Sequence, residues 1–351
     1  MRRNGGLAVV SALLLGAVPA IAKGPETAEK TWTLSVPVPA GSALRVGNLL
    51  GSVRIRGTSE KGDATVSVRA VAAAKTLDEA AKLAGSVTVG VEREGAGTGI
   101  RVGLDADLAS PIRLLEGDDG TLLRRLASLF DRKGEGLDVE YGGRTFRVVE
   151  DRKAPGLAVH LDVAVPFDTP VAVRQEIGSI RIEVARSDVR VEAMAGSVEV
   201  SRCFGSVLVD GGEASVRVAS LQGSALEIAT AGGPVELLDV RARRASVRTG
   251  AGPVVGTDSG PEDLAIETLS GPIALSGIDA IRVEIRTASG DVDFGPAAHI
   301  EILDLQTRWY DFFLKGIQNG LDKEPPVKLF VTAAEEVRAE RRREPGPGGG
   351  P

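Results

Sequence analysis

Val173-Gln175-Gly178-Ile180, Val191-Ala193-Gly196-Val198, Val209-Gly211-Ala214-Val216, Ile228-Thr230-Gly233-Val235, Val247-Thr249-Gly252-Val254, Ile266-Thr268-Gly271-Ile273 and Ile285-Thr287-Gly290-Val292 are seven copies of one template. They follow one another at offsets of 18, 18, 19, 19, 19 and 19 residues. A fixed period of about 20 residues, with two short apolar alternations in each unit, is the pattern of stacked β-coils. Each coil buries its apolar face against its neighbours, and none is stable alone. The sequence therefore reads as mainly β, a parallel β-solenoid (β-helix) of about seven 18–19-residue coils with an α+β insertion on its N-terminal side.

Laid over one another, the coils produce columns. Val171, Val189, Val207, Leu226, Ala245, Leu264 and Val283 form one apolar column, the first residues of the seven templates a second, and their last residues a third. Parallel stacking at about 4.8 Å turns such columns into continuous aliphatic ladders. Burial should contribute about 1.5–3 kcal/mol for each large side chain before entropy is counted. The outward columns support the same register independently: Arg181, Glu199, Arg217 and Glu236 alternate in sign, as do Arg248, Glu267 and Arg286. Opposite charges on adjacent strands attract. Gly178, Gly196, Gly233, Gly252, Gly271 and Gly290 mark a corner where a positive φ is expected. Thr230, Thr249, Thr268 and Thr287 are expected to form a hydroxyl ladder beside it.

A shift of 127 residues lays Trp32, Leu34, Val36, Val38, Pro39, Leu44, Val46 and Gly51-Ser52-Val53-Arg54-Ile55 onto Val159, Leu161, Val163, Val165, Pro166, Val171, Val173 and Gly178-Ser179-Ile180-Arg181-Ile182 without a gap. The chain thus begins a β-unit twice, once over residues 23–57 and again at residue 157, where the solenoid of residues 157–295 starts. Residues 58–156 between them read as an α+β cap: alternating strands at 64–71, 87–92 and 100–104, a helix at 76–83 with Thr76 as N-cap, and a second helix at 119–131. Residues 296–333 carry Trp309, Tyr310, Phe312 and Phe313 and read as the opposite cap, large rings being efficient covers for open coil edges. A strand is expected near 327–332, and residues 334–351 read as a charged, disordered tail.

Composition agrees with thin aliphatic layers: 44 Gly stand against only eight Phe, two Trp and two Tyr. Arg2 and Arg3, an apolar run and Ala20-Ile21-Ala22 read as a signal peptide of residues 1–22. That run is shorter than the roughly 20 residues of a membrane span, and no later stretch reaches that length, so no transmembrane segment is expected after signal cleavage. The destination is then the periplasm, the cell surface or the medium. A formal charge of −6 gives no electrostatic reason to bind nucleic acid. Cys203 is the sole cysteine and reads as a core filler. His160 and His299 are too few for a metal site and are expected at the surface or at strand ends.

Chemistry on a β-helix needs acids and bases stacked on adjacent coils. Glu192 with Asp210, beneath Arg174, is the best such cluster, able in principle to bind a cation or act as an acid/base pair. As one step in a charge ladder, it has a plainer structural explanation. Phosphate-loop, nucleophile-elbow and zinc-helix motifs are missing from the sequence, and neither a catalytic residue, a metal nor a cofactor is assigned. The alternating lead-in strand ending in Val-Pro, the Gly-Ser-Val-x-Val units and the Thr-x-x-Gly-Pro/Asp-Val coils resemble the bacterial family of "putative adhesins" with β-strand repeats, a domain of unknown function. The resemblance covers residues 30–295 and implies an exported, non-enzymatic, adhesin-like β-solenoid of the cell envelope. Its partner would be an envelope protein or a polysaccharide, bound through strand faces or through the aromatic segment at 309–313. The alternative is a polysaccharide lyase or hydrolase on a β-helix, for which the coils carry few acids in clusters and few sugar-stacking rings.

Overall fold

The structure is a computed structural model that describes residues 25–60, 62–94, 97–105, 111–115, 136–151, 153–294, 315 and 329–333. Ahead of the repeat lie β1 (Glu26–Val36), β2 (Leu44–Thr58), β3 (Ala64–Ala74), α1 (Leu77–Ser86), β4 (Thr88–Glu94), β5 (Gly97–Gly103), β6 (Arg113–Leu114), β7 (Leu137–Tyr141), β8 (Arg144–Val148) and β9 (Gly156–Pro166). The repeat supplies β10 (Val171–Ala185), β11 (Val189–Cys203), β12 (Val207–Asp210), β13 (Ser215–Thr230), β14 (Val235–Thr249), β15 (Val254–Thr257), β16 (Asp263–Thr268), β17 (Ile273–Ser276), β18 (Arg282–Thr287) and β19 (Val292–Asp293), and β20 (Leu329–Ala333) follows. The expected signal peptide, the second predicted helix and the aromatic segment at 309–313 lie outside the described residues.

The coils stack in parallel in the register set by the template. Val171 faces Val189, Val189 faces Val207, and the column continues through Leu226, Ala245 and Leu264 to Val283. Across the corner, Ile180, Val198, Val216, Val235, Val254, Ile273 and Val292 pair in the same way. Seven rungs separated by six intervals make a parallel β-solenoid of about six turns. The template corner divides each rung into two main strand segments, whose stacks are termed the first and second sheets, and a short further stretch follows, as where Leu221, Gln222 and Gly223 pair with Val240, Arg241 and Ala242. The inward columns are almost fully buried from Val173 and Ile180 through Ile266 and Ile273, whereas Val283 and Val292 are only partly covered at the C-terminal end.

The duplication acquires a spatial meaning here. β2 lies directly on β10, Leu44 on Val171 and Gly51 on Gly178, so two rungs that are 127 residues apart in sequence are immediate neighbours. The intervening chain continues both sheets beyond β2. β5 adds in parallel to the first half of β2, and β4 pairs antiparallel with β5. On the second half β9 adds in parallel, followed by antiparallel β3 and then β1. Helix α1 is capped by Thr76, whose hydroxyl accepts from the Glu79 N–H at 3.2 Å, and Ala80 packs on Ala28 and Ala74. The hairpin of β7 and β8 turns at Gly142 and Gly143 (φ 61° and 76°), the left-handed pair that a two-residue hairpin requires. It buries Val139, Phe146 and Val148 in the same core.

At the template corner the glycines serve a different purpose from the one the sequence suggests. Gly178 and Gly196 do have positive φ (142° and 129°), but Gly233, Gly252, Gly271 and Gly290 do not. What all six share is proximity: a methyl group added at Gly196 would collide with the carbonyl oxygen of Gly178, and one at Gly252 with that of Gly233. The threonines likewise close their own corners rather than bonding one another. Thr249, Thr268 and Thr287 hydroxyls accept from the N–H three residues on, at 3.0, 2.8 and 2.8 Å. The amides of Asn48 and Gln175 occupy this column in the first two rungs, donating to Leu50 and Ile177 carbonyls, with Asn48 also donating to the Gln175 side chain at 3.1 Å.

The opposite corner is a column that composition does not reveal. Val184, Arg202, Ser220, Asp239 and Asp258 all adopt left-handed backbone (φ 59° to 50°), and Gly277 completes the series at 62°. Valine is the residue least suited to this conformation, because its branched Cβ crowds the carbonyl. Val184→Asn is expected to raise the unfolding free energy by about 1 kcal/mol in a denaturant titration. Thr268→Val, which strands the buried Gly271 N–H, is expected to lower it by about 1–3 kcal/mol, a loss that a neutral outcome would refute.

Candidate functional site

Because Val46, Val173, Val191 and Val209 point inward, alternation sends residues 45 and 47, 172 and 174, 190 and 192, and 208 and 210 to the outer face of the first sheet. At its N-terminal end this face holds a cleft of about 670 Å³. Arg45, Arg101, Arg174 and Arg190 reach it from four successive strands, with Glu92, Glu140 and Glu192 also along its lining. The β7–β8 turn stands beside it. Tyr141 packs where Gly47 has no side chain, its hydroxyl 3.5 Å from the position a Gly47 Cβ would take. Only 8% of Tyr141 is exposed, and this burial drives its phenol well above the usual range, so it stays neutral.

Arg174, Glu192 and Asp210 are indeed brought together, as direct neighbours on three consecutive rungs. Their charges, however, are matched along the strands rather than between them. Arg174 pairs with Glu176 at 2.7 Å, which together with the charge of that carboxylate holds its guanidinium above its ordinary pKa. Arg190 pairs with Glu192 at 3.0 Å. Glu192 lines the main cleft and, with Asp210, a neighbouring depression of about 160 Å³. Trp309, Tyr310, Phe312 and Phe313 fall outside the described residues.

The second sheet's outer face carries the predicted charge ladder. Arg181 meets Glu199 at 2.9 Å and Arg217 meets Glu236 at 2.8 Å, and on the first face Arg248 lies 3.5 Å from Glu267. Arg286 instead pairs with Glu284 on its own strand. Exposed pairs of this kind contribute about 0.2–1 kcal/mol each, so they specify register more than they stabilise. Beside this ladder, Ser52, Ser179, Ser197 and Ser215 line up on successive rungs along a groove of about 550 Å³.

His160 is neither at the surface nor at a strand end. It sits in mid-strand on β9, half-buried, with Nδ1 2.8 Å from the Ser52 hydroxyl, and its pKa is lowered first by burial and then by Arg69. Sequence reasoning missed this contact because it depends on a rung offset of 108 residues, which the insertion creates and the repeat does not display. The hairpin that walls the cleft did leave a signal: Gly142-Gly143 between Val139, Tyr141 and Phe146, Val148 is a hairpin pattern. Cys203 is buried, and burial pushes its thiol up and away from reactivity. Among the described residues, no group of three or more His, Cys, Asp or Glu is placed to hold a metal ion. None of the described helices is long and apolar enough to cross a membrane.

No curated protein matches the chain. Among solved structures it is similar to a "putative adhesin" from Bacteroides fragilis (11% identity, TM-score 0.40), with 76% of this chain and 96% of that one covered. A "putative cell adhesion protein" from Clostridium sporogenes (10%, TM-score 0.24) covers 76% of this chain and 98% of its own. A "putative lipid binding protein" from Parabacteroides distasonis (11%, TM-score 0.35) covers 76% and 94%. Superpositions at these scores carry no argument about ligand or activity. The family resemblance read from the repeats rests instead on the sequence itself: residues 156–307, from β9 through the last coil, match the family model of Toastrack DUF4097, a β-solenoid domain of unknown function.

Proposed function

We propose that the chain is exported and serves in the bacterial envelope as a non-catalytic, adhesin-like binding or scaffolding solenoid, presenting its strand faces to an envelope protein or polysaccharide. One observation carries this reading: the first sheet's outer face is a single surface running over consecutive rungs, with a cleft that could hold part of a ligand at its N-terminal end. Surfaces of this kind bind through many modest contacts spread along the stack. Export is supported by the residue 1–22 signal pattern. Within this proposal residues 58–156 and 296–333 are the two caps that keep the terminal rungs from pairing with other chains, and residues 334–351 are a solvated tail.

A lyase or hydrolase would have to recruit Glu192 and Asp210. The geometry does not favour it, since Glu192 is engaged by Arg190 at 3.0 Å. Cell fractionation with N-terminal sequencing is expected to recover the protein outside the cytoplasm, starting at Lys23. Incubation with acidic polysaccharides is expected to release no fragments. Retention in the cytoplasm would contradict export, and fragment release abolished by Glu192→Gln would contradict the non-catalytic role.

A further inference from the structure

The outer face of the first sheet changes character along the stack. Toward the C-terminal end, Arg248, Glu267 and Arg286 alternate in sign on neighbouring rungs. At the cleft the alternation is instead between arginine and a residue with almost no side chain. In one column Gly99, Arg45, Ala172 and Arg190 are successive neighbours, and in the adjacent column Arg101, Gly47 and Arg174. The arginines therefore form a checkerboard over four rungs, with Gly99, Gly47 and Ala172 in three of the remaining squares and Glu192 in the last. Arginines in one column are two rungs apart, roughly 9.6 Å from a rung spacing of ~4.8 Å.

We infer that this checkerboard is a binding site for an acidic glycan, a sugar chain carrying carboxylates at intervals. Guanidinium forks recognise carboxylates in a planar, bidentate manner. Arg174 and Arg190 are held by Glu176 and Glu192 on their own strands, and acidic groups of a bound chain would share or replace such contacts along the cleft. Gly99 and Ala172 keep the floor low between the arginines, and Tyr141 stands over Gly47 as a ring against which a sugar can pack. A volume of about 670 Å³ is of the size that encloses a small ligand. Glu92, Glu140 and Glu192 share the lining, so the site is only mildly basic. That balance suits a chain of spaced, single charges and disfavours a dense polyanion, which the chain's overall charge of −6 also repels. The β7–β8 turn beside the cleft favours a chain that threads along the floor over a bilayer pressed flat against it.

The inference rests on the binding role proposed above, and Ala172→Glu tests it separately from export and from folding. This substitution places an acid between Arg45 and Arg190. Purified mature protein is titrated calorimetrically with a galacturonic acid tetramer, with the neutral galactose tetramer and with phosphatidylglycerol vesicles, each at low and high salt. The wild type is expected to bind the uronate alone, more weakly as salt rises. Ala172→Glu is expected to lose at least tenfold in affinity with a melting temperature equal to or above that of the wild type, and Arg174→Gln to weaken binding while Arg217→Gln, on the other sheet, leaves it unchanged. Equal binding of the neutral tetramer, undiminished binding by Ala172→Glu, or binding of the vesicles without the uronate would each overturn the site. None of these outcomes bears on whether the protein is exported, and cleavage of the bound tetramer would contradict the non-catalytic role while leaving the site in place.

Discussion

The closeness of successive rungs at the glycine corner is the constraint on which the rest of the structure depends. There the chain turns from one sheet to the other with its backbone against the carbonyl of the preceding rung, so that even a methyl group at Gly196 or Gly252 has no space. Holding the corner this tight keeps both strand segments of a rung in register with the rung below, and in-register stacking is what aligns the aliphatic columns. The Thr-x-x-Gly lock serves that closeness locally. A buried hydroxyl satisfies the glycine N–H from within the same coil, leaving the inter-rung hydrogen bonds to the strands. Asn48 and Gln175 close their corners with the opposite polarity at the point where the two β-units meet, their amides donating to the Leu50 and Ile177 carbonyls.

Much of this was legible because the physics of a solenoid is repetitive. A column is seen seven times, and residues such as Val247 or Arg217 need only obey the same rule as their neighbours to be placed correctly. Features that occur once were harder. The Ser52 contact with His160 depends on how the inserted strands rejoin the stack, which no period encodes. The positive φ expected at the glycine corner holds only for Gly178 and Gly196, whereas all six glycines are required by a nearby backbone, and composition cannot separate the two causes. The left-handed column from Val184 to Asp258 went unseen for the opposite reason: Val, Arg, Ser and two Asp share a conformation but no common residue type.

The candidate site follows the same division. Arg174, Glu192 and Asp210 could be stacked by counting residues, and they are stacked. Arg45 and Arg101 could not be added to them without knowing that β2 and β5 continue the sheet beneath β10. The insertion is thus more than a cover. By extending both sheets and standing the β7–β8 turn beside the outer face, it converts the end of a flat surface into a cleft, while cross-rung ion pairs such as Arg217–Glu236 and Arg248–Glu267 lie farther along the stack.

In-register parallel stacking is tested most directly by through-space contacts among selectively labelled valine methyl groups in solution. Val191 is predicted to contact Val173 on one side and Val209 on the other, and Val46 to contact Val173 across the 127-residue gap. A spectrum in which Val191 shows neither neighbour, its contacts falling instead on residues paired in antiparallel order, would contradict the account.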